Sequence, residues 1–347
     1  MLDMMHAPPD ADQGLPPPPT RKGRGAAVNP PSRFDRQTSG PFDDGWSTLA
    51  EELADLPPLP TTLTRDASRS VISYNQSPDL GFDRAVNPYR GCEHGCVYCY
   101  ARPTHAYLGL SPGLDFETRL LFKPDVAELL ERELRRPGYV ARPLALGSNT
   151  DPYQPVERTL KLTRAVLEVL ARFGHPVSIV TKSAGVLRDL DLLRALAARR
   201  LVRVWLSVTT LDAALARRME PRAATPARRL EAVAALAAAG AGAGSAGYVL
   251  LRLPLEIRQI FEDWLARHYP QRARHVLALV RETRAGALND SRFGQRMSGT
   301  GAYADLLARR FARAARQHGL EAPAPLDCTS FAPPPLPVPP AAQMSLF

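Results

Sequence analysis

The sequence predicts an α/β protein: a partial parallel β/α barrel followed by a helical C-terminal extension. Three observations predict it. From about residue 83, short apolar runs alternate with amphipathic helical segments, the pattern of parallel strands joined by crossover helices. After residue 255 the strand-like runs stop and only helical periodicity continues. The 347 residues, 45% of them hydrophobic, suffice for one large core or two smaller ones.

Residues 1–60 are rich in Pro, Gly and charge and read as a largely disordered segment, in which 21–25 and 29–34 are candidates to clamp a core or a polyanion. The barrel core is read over residues 61–255. Residues 84–89 form a first strand that delivers the chain to a cysteine-bearing loop. A helix follows over 124–136, with Pro124 suited to its first turn. The second strand is 143–147, and 159–173 is an amphipathic helix with Thr159 as a candidate cap and Gly174 as its stop. A third strand at 177–181 leads to a helix over 187–199. A fourth at 201–208 leads to helices over 211–219 and 226–239, and a fifth strand spans 245–253. In such barrels the chemistry gathers at the C-terminal ends of the strands. The extension, 256–320, carries helices over 257–268, 272–282 and 303–318, with Trp264, Leu265, His268 and Val276, Leu277, Val280 spaced as packing faces. Residues 321–347 form a Pro-rich tail expected to be disordered.

Net charge is +9, carried largely by arginine, which suits an anionic partner. Arg199, Arg200, Arg203, Arg217, Arg218, Arg222, Arg228 and Arg229 are candidate phosphate contacts or, equally, solvated helix ends and ion pairs. The stretch 232–251 lacks charge, but its alanines and its glycines at 240, 242, 244 and 247 give it a weak transfer energy, so no membrane span is expected. Residues 1–13 lack a basic region followed by an apolar core, and the expectation is a cytoplasmic protein.

Residues 87–100, Asn-Pro-Tyr-Arg-Gly-Cys-Glu-His-Gly-Cys-Val-Tyr-Cys-Tyr, hold three of the four cysteines as C-x₃-C-x₂-C. Three thiolates on one short loop can hold three irons of a 4Fe-4S cube and leave the fourth iron open to a substrate. Structural zinc takes four ligands as two separated pairs, and His94 is too close to its neighbouring cysteines to complete a tetrahedron easily. A disulfide framework fits poorly with four cysteines in this length, and a ferredoxin-type cluster lacks a fourth cysteine other than Cys328 in the tail.

This array and its flanks resemble the signature of radical S-adenosylmethionine (radical SAM) enzymes. From about residue 20 onward the chain resembles bacterial radical SAM proteins related to the spore photoproduct lyase (DNA repair photolyase) group. The resemblance is carried by residues 87–109, 147–157 (Gly-Ser-Asn-Thr-Asp-Pro-Tyr-Gln-Pro-Val-Glu), 180–183, 207–212, 219–222 and 290–294 (Asp-Ser-Arg-Phe-Gly). It implies that Cys92, Cys96 and Cys99 hold a 4Fe-4S cluster and that SAM binds the open iron. One electron, from a donor such as flavodoxin or ferredoxin, would then yield methionine and a 5′-deoxyadenosyl radical that takes hydrogen from a substrate. At the second strand's end, where the SAM amino group would lie, stand Ser148, Asn149, Thr150 and Asp151 in place of a Gly-Gly-Glu. Asp151 is the candidate ammonium acceptor or a cap of the following turn. Lys182, Ser183 and Ser207 end the next two strands and suit a carboxylate or ribose, or else satisfy local backbone. Tyr98 or Tyr100 could pack on adenine or be an ordinary packed ring.

The chain departs from the family in two places. The radical SAM core is usually a six-unit partial barrel, and five strands are found. Between Gly240 and Ser245 the family carries a further strand, loop and helix, whereas residues 239–244 here run almost straight on, so one unit is missing. Spore photoproduct lyases return hydrogen from a barrel cysteine. No thiol outside the cluster loop other than Cys328 is available, so that repair reaction is not assigned. The chain ends Gln343-Met344-Ser345-Leu346-Phe347, which resembles the peptide that docks into the bacterial DNA polymerase sliding clamp. The expected function is radical SAM chemistry on DNA or another nucleic acid. The alternatives are the same chemistry on a peptide or small metabolite, or a cluster- or clamp-binding protein without turnover.

Overall fold

Two sheets carry the described part of the chain, residues 21–35, 57–240, 244–320 and 324–335 of a computed structural model. The larger sheet contains β2 (Ile72–Tyr74), β3 (Arg84–Val86), β6 (Leu144–Leu146), β7 (Val177–Thr181) and β8 (Val202–Leu206), in the order β2-β3-β6-β7-β8. Its last four strands are parallel, and β2 runs antiparallel along the β3 edge. The smaller sheet joins β1 (Thr62–Arg65), β5 (Arg119–Phe122) and β4 (Tyr89–Arg90). The helices are α1 (Leu114–Thr118), α2 (Val126–Leu134), α3 (Glu157–Leu160), α4 (Leu162–Arg172), α5 (Leu190–Ala198), α6 (Ala213–Met219), α7 (Pro226–Ala238), α8 (Ile257–His268), α9 (Pro270–Glu282) and α10 (Ala302–Gln317). Short 3₁₀ helices occupy Arg102–Leu108 and Ala184–Asp189.

The core lies between the parallel strands and their helices. Leu144, Leu146, Val177 and Ile179 from the sheet meet Leu130, Leu134, Val166, Leu167, Leu170 and Leu193 from α2, α4 and α5. Each such side chain contributes about 2 kcal/mol by leaving water. The parallel α/β architecture and the helical extension are those the periodicity predicts.

Several elements differ from expectation, each for a physical reason. The first strand is split, because Pro88 has no N–H to give a ladder and Asn87 turns aside. The Asn87 Oδ1 accepts the Asn149 N–H at 3.0 Å while its Nδ2 donates to Ser148 Oγ at 3.2 Å, so β4 leaves for the smaller sheet. The helix expected from Thr159 starts at Leu162 instead. Lys161 takes a left-handed φ of 53°, and the Glu157 carboxylate, not Thr159, accepts the Thr163 N–H.

No strand forms over 245–253. The buried Arg284 guanidinium donates to the carbonyls of Leu250 and Leu251, and also to those of Gln295 and Arg296. Leu250 and Leu253 give their N–H groups to Met297 and Leu288. A side chain and a loop therefore satisfy the backbone that a sixth sheet strand would have used, and the parallel ladder ends at β8.

Both flanking segments are partly seated on the core. Arg24, Ala26 and Ser32 are buried, so residues 21–35 clamp the fold as one of the expected alternatives allowed. The tail expected to be disordered from 321 packs over residues 324–335 instead. The Phe331 ring centre lies 5.5 Å from those of both Tyr139 and His175, tilted to the first and edge-on to the second, and Ala332 N–H donates to Phe173 O at 2.9 Å. Gln343, Met344, Ser345, Leu346 and Phe347 lie outside the described residues. Among the described residues no helix is long and apolar enough to cross a membrane.

Candidate iron-sulfur and cofactor site

The cysteine loop begins at Gly91 (φ 82°) and bends again at Gly95 (φ 66°), conformations that suit glycine. Its backbone is tied at both ends: Cys92 N–H donates to Phe116 O at 2.8 Å and Val97 N–H to Met219 O at 3.0 Å. Val97 also enters the apolar cluster of Ile257, Phe261, Trp264 and Leu265, so the helical extension rests directly on this loop.

Cys92 and Cys96 are buried, Cys99 is half-buried, and none is in a disulfide. Burial, then the negative neighbours Asp151 and the other two cysteines, pushes the Cys92 thiol well above its ordinary range. Burial likewise pushes Cys96 up to about 12, against the opposing pull of Lys182. Three sulfurs on one loop, two of them buried, form a donor set that a thiophilic metal centre would satisfy by taking them as thiolates. Among the described residues no three His, Cys, Asp or Glu side chains converge as a one-ion site requires. A cube holds its sulfurs farther apart than a single ion does.

Two buried carboxylates position the loop. Glu117 accepts the N–H groups of Gly25 and Ala26, each at 2.9 Å, and pairs with Arg102. Arg102 in turn donates to Cys96 O at 2.8 Å and to the carbonyls of Pro112 and Gly113. Glu93, within the loop, accepts from Thr61 Oγ1 at 2.6 Å and Val156 N–H at 2.8 Å, and pairs with Arg222 at 2.9 Å.

The strand-end residues divide into engaged and available groups. Asp151 Oδ1 accepts from Tyr153 N–H and Thr181 Oγ1. Its Oδ2 accepts Lys182 N–H at 2.7 Å and lies 3.2 Å from His94 Nδ1. Burial would raise this carboxyl, but His94, Lys182 N–H and Thr181 together draw it down to about 2. Asp151 thus accepts three hydrogen bonds inside the protein and anchors the turn and the loop, the second of the two roles expected of it. Ser183 is likewise a cap, its Oγ accepting Gly185 N–H at 3.0 Å at the start of a 3₁₀ helix.

Lys182 is a cation beside this loop. Burial would lower its ammonium, yet Tyr98, Cys96, Glu220 and Cys99 hold it well above the ordinary value. The Tyr98 ring lies 5.7 Å from Lys182 Nζ, and its hydroxyl donates to Glu220 beside Thr209. Glu220 also pairs with Arg229, so this arginine of the expected phosphate-binding set is buried and neutralised. Tyr100 is 53% exposed and donates to Ser148 O. Ser148 Oγ is engaged by Asn87, while the Asn149 side chain has no hydrogen bond among the described residues. Ser207 is half-buried at the end of β8, its carbonyl accepting from Arg229 at 2.9 Å.

The family comparison decides what this arrangement belongs to: the model described as the radical SAM superfamily matches residues 86–263. The chain belongs to the radical SAM superfamily. Radical SAM proteins use a 4Fe-4S cluster and S-adenosylmethionine, and the donor set of two buried cysteines and one half-buried fits such a cluster.

An uncharacterised protein of Mycobacterium tuberculosis is 38% identical over 222 residues, covering 55% of this chain and 65% of its own length. One of Methanocaldococcus jannaschii is 27% identical over 156 residues, covering 45% and 56%. The chain thus spans less than two thirds of the curated relatives it matches. Among solved structures, spore photoproduct lyase complexed with dinucleoside spore photoproduct aligns at a TM-score of 0.46 and 16% identity, covering 74% of this chain and 79% of that one.

Sequence reasoning missed the carboxylate supports of this radical SAM loop. Glu220 falls in the 219–222 string, where its spacing before Arg229 on one helix-turn-helix was the available signal. Glu117 and Arg102 offered none, since they meet from separate elements fifteen positions apart.

Proposed function

We propose that this chain is a radical SAM enzyme that abstracts hydrogen from DNA or another nucleic acid. The observation that carries the reading is the buried loop of Cys92, Cys96 and Cys99, set at the C-terminal ends of parallel strands beside Lys182. When bound, the cluster and SAM supply one-electron cleavage of the sulfonium to methionine and a 5′-deoxyadenosyl radical.

In this reading Cys92, Cys96 and Cys99 hold the cluster. Lys182, a half-buried cation, is suited to the SAM carboxylate, and the Asn149 amide, without a hydrogen bond among the described residues, is suited to the ammonium beside Asp151. Tyr98, fixed by Glu220 and Thr209, presents a rigid ring beside them. Val97 and the extension helices exclude water from the loop. A small redox protein such as flavodoxin or ferredoxin delivers the electron, and residues 343–347 dock the sliding clamp.

Anaerobic reconstitution with iron, sulfide, reductant and SAM tests the reading, with 5′-deoxyadenosine as the product assayed. Its formation, raised by added oligonucleotide, is the expected result; an intact cluster with no product rejects it. One feature favours the rival of binding without turnover: the parallel ladder stops at β8, leaving fewer strands to wall the cofactor. Deleting residues 343–347 should abolish clamp binding, and unchanged affinity rejects that partner.

A further inference from the structure

We propose that Tyr100 and Phe293, backed by Arg252 and Arg296, form a stacking platform for an unpaired nucleic-acid base beside the cysteine loop. The inference rests on the nucleic-acid reading above and supplies it with a surface. Tyr100 follows Cys99 directly, and its exposed ring is held in place through its bond to Ser148. The Arg252 guanidinium lies 5.8 Å from that ring's centre. Phe293, 59% exposed, lies 4.9 Å from the Arg296 guanidinium. Leu250 N–H donates to Met297 O at 2.9 Å, and the Arg284 guanidinium binds the Leu251 and Arg296 carbonyls together, so the segments bearing Arg252 and Arg296 lie side by side and join the halves into one surface.

The loop carrying Phe293 is anchored from below. Asp79 accepts Arg296 Nε at 2.8 Å and Gly294 N–H at 3.2 Å, and Asp290 accepts from Arg292 at 2.7 Å. Both carboxylates are covered, their side chains 7% and 9% exposed, whereas that of Arg292 is 62% exposed. What faces water here is therefore the Phe293 ring and the Arg292 guanidinium, with the Arg296 side chain, 18% exposed, behind them.

Rings interleaved with guanidinium groups suit a single strand, whose base faces stack while its phosphates pair with arginine. A duplex hides those faces, so it cannot use the platform without extruding a base. The Asp-Ser-Arg-Phe-Gly string at 290–294, which no cofactor role absorbs, is what builds this edge.

Fluorescence anisotropy of the reconstituted protein with a labelled oligothymidylate tests the proposal. Phe293→Ala should weaken binding roughly ten-fold, Phe293→Tyr should retain it, and Arg296→Gln should lower the salt dependence by about one released ion. Iron content and a thermal melt report that each variant folds, and Arg252→Gln provides a second test from the other half. Wild-type-like binding by Phe293→Ala and Arg252→Gln overturns the platform and leaves the nucleic-acid reading standing. Equal binding of duplex and single strand, both weakened alike by the variants, also overturns it, because the surface would then read phosphate alone. Absence of binding by the wild type sinks both, and binding of an acidic protein in its place does the same.

Discussion

Gly25 and Gly95 meet backbone to backbone: a Cβ on Gly25 would stand 1.9 Å from the Gly95 carbonyl oxygen. The N-terminal arm therefore touches the middle of the cysteine loop at a point where no side chain fits. Gly25→Val should displace the arm and cost about 2 kcal/mol, with less iron retained after reconstitution. Iron per chain and the melting temperature check this, and wild-type values for both would show that the arm is dispensable.

Arg102 and Glu117 are both fully buried, and Arg102 holds the Cys96 carbonyl. Glu117→Gln leaves a guanidinium charge without its counter-ion and removes an acceptor from the Gly25 or Ala26 amide. Denaturant unfolding should show a loss of about 3–5 kcal/mol. A loss under 1 kcal/mol would mean that water enters and solvates the charge.

The cluster assignment separates the cysteines cleanly. Cys92→Ala, Cys96→Ala and Cys99→Ala should each abolish the visible iron-sulfur absorbance on reconstitution, while Cys328→Ser should keep it. Cys328 sits near the Leu326 carbonyl, in the segment packed at the other end of the sheet. Retained absorbance in any of the first three variants would contradict the assignment.

His175 makes stability depend on pH. Its Nδ1 lies 2.9 Å from Pro176 O and its Nε2 2.8 Å from the Tyr139 hydroxyl, so the ring is neutral, donating through Nδ1 and accepting at Nε2. Burial, only partly offset by the Pro176 contact, lowers its pKa from 6.5 to about 4. The unfolded chain binds the proton more readily, so this contribution is fully present above pH 6.5 and lost as pH falls toward 4. The loss amounts to up to about 3 kcal/mol. Melts of wild type and His175→Asn between pH 7 and 4 should converge as pH falls; parallel curves would refute the coupling.

Much of the architecture was legible because local patterns decided it. Val177–Thr181 alternates buried and less buried residues as its apolar spacing predicts, and Ile257–His268 has the bounds its periodicity sets. That the expected fifth strand does not form was not legible. Residues 245–253 have strand composition, but Arg284, some thirty positions later, takes their carbonyls. Asp151 shows the same limit within the site. A carboxylate at a strand end gives no sign in the sequence that Tyr153, Thr181 and Lys182 all donate to it. Phe331 was hidden in a Pro-rich segment because its partners Tyr139, Phe173 and His175 lie far back in the chain.

The segments 21–35 and 324–335 are fastened to opposite poles of the larger sheet. The first grips the cysteine pole through Glu117. The second grips the far pole, where Phe173, His175 and Arg200 precede the strands. A group attached at residue 335 therefore stands away from the sulfur-bearing mouth and leaves it clear. A bulky label at residue 21 would instead crowd that mouth, which makes residue 335 the safer place for one.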